Sequence, residues 1–168
     1  MPSDQVIIDE RADLLETLGK HRGFLRYTVR ELTDEQAARR TTVSELCLGG
    51  LIKHVTVVEA RWARFIVGGA DAMNSQPVDW AAAFQMFPGE TLAGLLEEYE
   101  RVAGHTDELV ATLPDLGASH PLPPAPWFQP GARWSIRRVL LHLVAETAQH
   151  AGHADIIRES LDGAKTMG

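Results

Sequence analysis

The chain has 168 residues, 45% of them hydrophobic and 23% charged, with a formal net charge of −7. That length predicts one domain over residues 1–168, with enough apolar content for a sizeable core. The acidic balance excludes a nucleic-acid binder, which needs a basic face for phosphates, and no apolar run approaches the roughly 20 residues needed to span a bilayer.

The first residues, MPSDQVIIDERADLLE, are acidic and amphipathic, unlike a signal peptide. A single cysteine, Cys47, has no partner for an internal disulfide. A reducing, cytoplasmic setting is expected, with Cys47 as a buried structural thiol. Ile7, Ile8, Leu14, Leu15, Leu18, Leu25, Val29 and Leu32 recur at helical spacing and predict a helix over residues 8–32. His21 stands between Lys20 and Arg22 and is expected in solvent. Thr33 then caps a short helical turn, DEQAARR.

After the β-branched connector Thr41-Thr42-Val43-Ser44, Ser44 and Glu45 can open a second helix. It runs to about residue 67 and ends at Gly68-Gly69. Its apolar stripe is Leu48, Leu51, Val55, Val58, Trp62, Phe65 and Ile66. His54 lies about 60° from the stripe's centre, at the edge of the core. Gly49 and Gly50 in the first turns cost about 1 kcal/mol each relative to Ala. They mark either a loose helix start or the close approach of another backbone or a ligand near His54.

Residues 71–89 carry Pro77, Trp80, Phe84, Phe87 and Pro88 without sustained periodicity. They read as a long loop, of the kind that often carries function, with a short helical turn at DWAAAF. A third helix follows from Glu90-Thr91 to Leu113, with Leu92, Leu95, Leu96, Tyr99, Ala103, Val110 and Leu113 facing in and His105 facing out. Residues 114–134 hold Pro114, Pro121, Pro123, Pro124, Pro126 and Pro130, a density that forbids regular structure. His120, Trp127, Phe128 and Trp134 in this stretch predict an ordered loop packed over the bundle. The aromatics around Trp127 and Trp134 would suit a homodimer.

The last helix is predicted over residues 135–161, opened by Ser135 and stopped at Asp162-Gly163, with a frayed tail AKTMG. With His142 at zero on its wheel, Glu146 lies at about 40°, His150 at about 80° and His153 at about 20°. The apolar set Ile136, Val139, Leu143, Thr147, Ala154, Ile157 and Leu161 centres near about 100°. Glu146 and His150 therefore fall within the core-facing stripe, while His142 and His153 sit at its shoulder. A carboxylate pointing into a core is costly unless it is paired or bound to a metal. Four long helices predict an all-α four-helix bundle.

Glu146 and His150 are one helical turn apart and can converge on one ion. Imidazole and carboxylate suit a borderline divalent metal, Zn²⁺ first and Ni²⁺ as an alternative. A third ligand must come from another helix, and His54 is the histidine on the inner side of the second. The candidate metal site is His54, Glu146 and His150, with His142 and His153 as substitutes or outer partners.

Two stretches, TTVSELCLGGLIKHVTVVEARW (residues 41–62) and WSIRRVLLHLVAETAQHAGHADIIRESLDG (residues 134–163), resemble the DinB/YfiT-like superfamily of bacterial four-helix bundles. The likeness is nearest to an uncharacterised, largely actinobacterial branch. The superfamily pattern has one histidine on the second helix, which His54 matches, and two residues one turn apart on the last helix. Many members have His-x-x-x-His there, whereas this chain has Glu146 first. The set is then similar to the His/Glu/His site of mycothiol-dependent maleylpyruvate isomerases, and His153 has no assured role in it.

The resemblance implies an up-down-down-up bundle with long crossover loops, and a divalent metal at one end with an open coordination position. It implies a thiol-dependent transferase or isomerase acting on a small-molecule substrate. The metal would activate the sulfur of a cofactor such as mycothiol, bacillithiol or glutathione. Two alternatives remain. One is a hydrolase using metal-bound water, with His142 or His153 as proton shuttle. The other is a non-catalytic, stress-associated bundle whose metal is structural and closed by a fourth protein ligand.

Overall fold

The computed structural model describes residues 9–166. Helix α1 (Glu10–Thr28) starts on Asp9, whose side chain accepts the Arg11 N–H at 3.0 Å. Ile7 and Ile8 of the expected stripe lie outside the described residues. The helix stops at Thr28, short of the expected residue 32, because Arg158 from the last helix takes its terminal carbonyls. Arg158 Nη1 donates to Thr28 O at 2.7 Å and to Arg30 O at 2.9 Å, and Glu31 turns the chain at φ +58°. A reciprocal capping box between Thr33 and Gln36 opens α2 (Asp34–Ala38), as the sequence predicts.

Ser44 does not open the next helix. Its hydroxyl lies 3.0 Å from that of Thr42 and accepts the Leu46 N–H at 3.2 Å, holding a turn instead. Cys47 is the cap of α3 (Leu48–Asn74): buried at 4% exposure, its Sγ accepts the Gly50 N–H at 3.4 Å. Gly68 and Gly69 break the helical path where the sequence places its end, with Gly69 at φ +68°, but helical bonding resumes to Asn74. Asp79 caps the short α4 (Trp80–Ala83) inside the long loop, and Thr91 caps α5 (Leu92–Thr112).

The proline-rich segment is less irregular than expected. Strand β1 (Ser119–Pro121) pairs antiparallel with β2 (Arg133–Ser135), which pins the base of the loop between them. The prolines of residues 123–130 lie in that loop, outside the ladder, where their missing N–H costs nothing. Ser135 caps α6 (Ile136–Asp162), and Gly163 ends it in a left-handed conformation at φ +79°. The tail is not frayed through Thr166, whose N–H donates to Asp155 at 2.7 Å.

Side-chain pairings fix the helix directions. Arg11 reaches Val110 and Arg26 reaches Glu100, so α1 and α5 are antiparallel. Glu10 pairs with Arg137, and Arg158 with Thr28, so α1 and α6 are parallel. His54 faces His150 and Trp62 faces His142, so α3 and α6 are antiparallel. The bundle is all-α and up-down-down-up, with α6 between α1 and α3, and α3 between α6 and α5.

Two apolar clusters fill it. One gathers Leu18, Trp62, Phe65, Val110, Val139 and Leu143, and the other Leu25, Leu51, Ile52, Val55, Tyr99 and Ile157. Near the boundary between the clusters, α1, α3 and α6 carry Arg22, Glu59 and Thr147, all buried. Arg22 is 3% exposed and bound to Glu59. His21, expected in solvent, is half-buried, edge-on to Phe24. His105 is exposed, as expected. Among the described residues no helix is long and apolar enough to cross a membrane.

Candidate metal centre

The antiparallel seam of α3 and α6 brings His54, Glu146 and His150 together, one donor atom of each within 4.8 Å of the others. His150 Nε2 lies 3.4 Å from Glu146 Oε2, and His54 Nε2 lies 3.9 Å from the same oxygen. Donors about 2.0–2.1 Å from a tetrahedral Zn²⁺ are themselves about 3.3 Å apart. The cluster therefore fits a divalent ion with a modest closing of the donors, and two imidazoles with a carboxylate are a borderline donor set. The cluster lies near the middle of α6 and opens through the side of the bundle, where the resemblance implies one end.

Glu146 is 29% exposed at its side chain, against 7% for His54 and 12% for His150. Its carboxyl is held well below the usual carboxylate range, first by His150, then by His54, with desolvation opposing and His142 assisting. The carboxylate is therefore ionised throughout the neutral range.

His153 stands behind the cluster. Its Nδ1 lies 3.3 Å from His150 Nδ1, on the far side of that ring from Glu146, which is the position of an outer partner. His142 stands at the wall of the adjoining cavity, with Nε2 3.9 Å from Glu146 Oε1. The rings of Trp62 and Trp134 hold it edge-on at centroid distances of 5.0 and 5.2 Å. Burial pushes the His142 imidazole below its ordinary pKa, against the pull of Glu146.

His54 is seated in a way that sequence reasoning missed. The Phe84 ring stacks on it at 3.8 Å between centroids and 16° between planes. His54 Nδ1 is buried without a hydrogen-bond partner, so the ring is positioned by an aromatic face in place of an acceptor. Gly50 makes the stack possible, since a Cβ there would lie 1.9 Å from the Phe84 carbonyl oxygen. Gly49 gives room to Met86 in the same way. Close approach of the Phe84 backbone is thus the reason for Gly50, and of the Met86 side chain for Gly49; the glycine pair was the available signal for this segment. Lys53 ties down the following connector through Glu90 at 2.6 Å.

A cavity of about 660 Å³ adjoins the cluster, with His54, His142 and Glu146 in its wall. Trp62, Trp80, Trp134 and the proline-rich loop with Trp127 and Phe128 make up most of the rest. Trp134 stacks on Trp62 at 4.8 Å, while Trp127 is 76% exposed at the rim.

A family model described as mycothiol S-transferase matches residues 13–163. The chain belongs to this family. It thereby falls within the DinB/YfiT-like superfamily that the two helical stretches resemble. Among solved structures, a conserved protein of its locus from Enterococcus faecalis superposes with a TM-score of 0.70 at 15% identity, over 94% of this chain and 99% of that one. At that identity the likeness shows the fold alone. A comparison with curated proteins gives no match. The family is thus one of thiol-linked transferases, and the cluster at the α3–α6 seam is compatible with a metal.

Proposed function

We propose that the chain is a metal-dependent thiol S-transferase that joins a small thiol, mycothiol in the first place, to an electrophilic small molecule. The observation that carries this reading is a cluster of three donors, His54, Glu146 and His150, facing an aromatic cavity with no fourth member among the described residues. A structural site would be closed by four ligands, whereas three leave a position for a reactant. A divalent ion held there, Zn²⁺ by the character of the donors, would lower the pKa of a coordinating thiol and keep it as thiolate at neutral pH.

The residues of the chain supply the rest. Phe84 fixes the plane of His54, and His153 fixes that of His150. Glu146 remains ionised and keeps the cluster attractive to a cation. His142 presents an imidazole to the cavity and is placed to receive the proton the thiol sheds. Trp62, Trp80 and Trp134 exclude water and offer flat surfaces to the electrophile. In the transfer a sulfur–carbon bond would form as the bond from that carbon to its leaving group breaks, and the thiol's proton, received by His142, would pass on to the displaced group or to solvent. Such chemistry suits a reducing compartment such as the cytoplasm, where small thiols stay reduced.

The test begins with metal analysis of untagged protein. About one divalent ion per chain is expected, lost in His54→Ala and in His150→Ala. Full occupancy in both variants would overturn the ligand set. Conjugation assays with mycothiol, bacillithiol and glutathione follow. Activity with mycothiol that a chelator abolishes is expected, whereas no activity with any thiol in metal-loaded protein would overturn the transferase reading.

A further inference from the structure

The cavity beside the metal cluster carries one further charge. Its walls are aromatic, proline or apolar residues except at two places: the end with His54, Glu146 and His142, and the pair Arg61 and Asn74, of which the Arg61 guanidinium carries the charge. Arg61 follows His54 by seven residues on α3. Seven residues are almost two full turns, so the two side chains leave the same face of the helix about 10 Å apart along its axis.

Arg61 is unlike most arginines of this acid-rich chain. Arg22, Arg26, Arg101, Arg137 and Arg158 each hold a carboxylate. Arg61 donates instead to a neutral group, Asn74 Oδ1, at 2.6 Å, and its guanidinium lies 5.4 Å from the Trp80 ring centroid. Both of those neighbours also line the cavity. Burial, and next the like charge of Arg64, push Arg61 below its ordinary pKa. A half-buried cation with a like-charged neighbour and no carboxylate is one that an arriving anion stabilises. Asn74 and Trp80 hold it in place without neutralising it.

We infer that Arg61 is the anion-binding end of the substrate pocket, and that the pocket selects electrophiles with a flat apolar body and a carboxylate or similar anionic group. The anion sits on Arg61, the body lies against Trp62 and Trp80, and the far end is directed at the His54–Glu146 cluster. The inference rests on the transferase reading for the word electrophile, but the binding itself requires no thiol.

Equilibrium binding tests it with a matched pair of probes, 1-naphthaleneacetic acid and its neutral amide. They are titrated calorimetrically into the full-length protein as purified, at low salt. The acid is expected to bind about tenfold or more tighter than the amide, since charge-assisted hydrogen bonds exceed neutral ones. Arg61→Gln should bring the ratio below about twofold, and Arg64→Gln should leave it unchanged. Arg61→Lys, which keeps the charge and loses the fork, should lower it several-fold; this variant decides the matter if Arg61→Gln fails to fold. Equal binding of acid and amide by the native protein would overturn the inference. So would a preference that survives in the Arg61 variants, because the anion would then be read by the metal cluster or elsewhere. Failure of the conjugation assays with the acid preference intact would remove the transferase reading and leave the subsite. Conjugation activity without the acid preference would do the reverse.

Discussion

Glu59 on α3 and Glu146 on α6 both enter the middle layer of the bundle, between the two apolar clusters, and they meet different partners. Glu59 is 1% exposed and receives both Nε and Nη2 of Arg22, itself 3% exposed, which also binds Asp107 at 2.9 Å. That pair is closed, with its charges cancelled inside the protein. Glu146 meets His54, His150 and His142, which are donors to a metal as readily as to a carboxylate, and it lies against a cavity. Burial of a carboxylate therefore does not by itself mark a site. What marks it is burial beside groups that cannot neutralise it permanently.

The largest effect is expected from breaking the closed pair. Glu59→Leu leaves the buried Arg22 guanidinium with only the half-exposed Asp107 as partner, a loss expected at the lower end of the about 3–5 kcal/mol that follows removal of one member of a buried pair. Adding Arg22→Met should recover most of that loss, because an apolar replacement of both partners is often neutral. Urea denaturation measures both variants. Metal affinity, measured by chelator competition in whatever fraction remains folded, should stay within about twofold, since the two clusters share no partner. A parallel loss of metal affinity would show that the layer acts as one unit.

Glu146→Gln should behave in the opposite way. Metal affinity should fall by at least about 100-fold, more than the 10–100-fold typical of an outer-shell partner. The stability of the metal-free protein should change by less than about 1 kcal/mol, because no buried cation is orphaned. A large loss of metal-free stability would place Glu146 with Glu59 as a structural carboxylate.

A smaller effect is expected at the seat of His54. Gly50→Ala gains about 1 kcal/mol of helix propensity, but its Cβ collides with the Phe84 carbonyl. The collision costs about 1–3 kcal/mol as overpacking, so net stability should fall modestly. Metal affinity should fall about tenfold as Phe84 shifts and His54 loses its stacked face. Phe84→Leu, which leaves the backbone in place, should reproduce the loss of affinity without the collision. Unchanged affinity in both variants would show that the α6 pair alone orients the ion.

How these features were legible follows from the range of the forces behind them. The four long helices, the Thr33, Thr91 and Ser135 caps and the Gly163 stop are set by neighbours within a turn or two, so periodicity and capping rules find them. The three members of the cluster were legible because each sits at a definable angle on its own helix. The wheel could not separate His153 from His142, since it gives angle and not which ring faces which. The early end of α1 was invisible because Arg158, 130 residues away, makes it. His21 was read as solvated because its charged neighbours Lys20 and Arg22 look the same whether or not a partner such as Glu59 waits on another helix. Ser44 failed as a cap because a second hydroxyl, Thr42, was available to it at shorter range.

The finest distinction within the layer concerns Tyr99, which touches the closed side. Its hydroxyl is buried without a hydrogen-bond partner. Burial, and next the Glu59 carboxylate, push its phenol far above the ordinary value near 10, against the pull of Arg22. A raised folded pKa means that the folded state binds the proton more tightly than the unfolded one. The associated stability is complete below about pH 10 and is lost as pH rises through that value towards the folded pKa, by about 1.4 kcal/mol per pH unit for one group. Tyr99→Phe should remove that share of the alkaline decline and change stability at pH 7–8 by less than about 1 kcal/mol, because the lost hydroxyl bonds to nothing. Urea midpoints at pH 8 and above pH 10 measure the difference between the two proteins. An identical alkaline decline in both would mean that Tyr99 ionises as freely as an exposed phenol, and that the closed side of the layer admits water as the cavity side does.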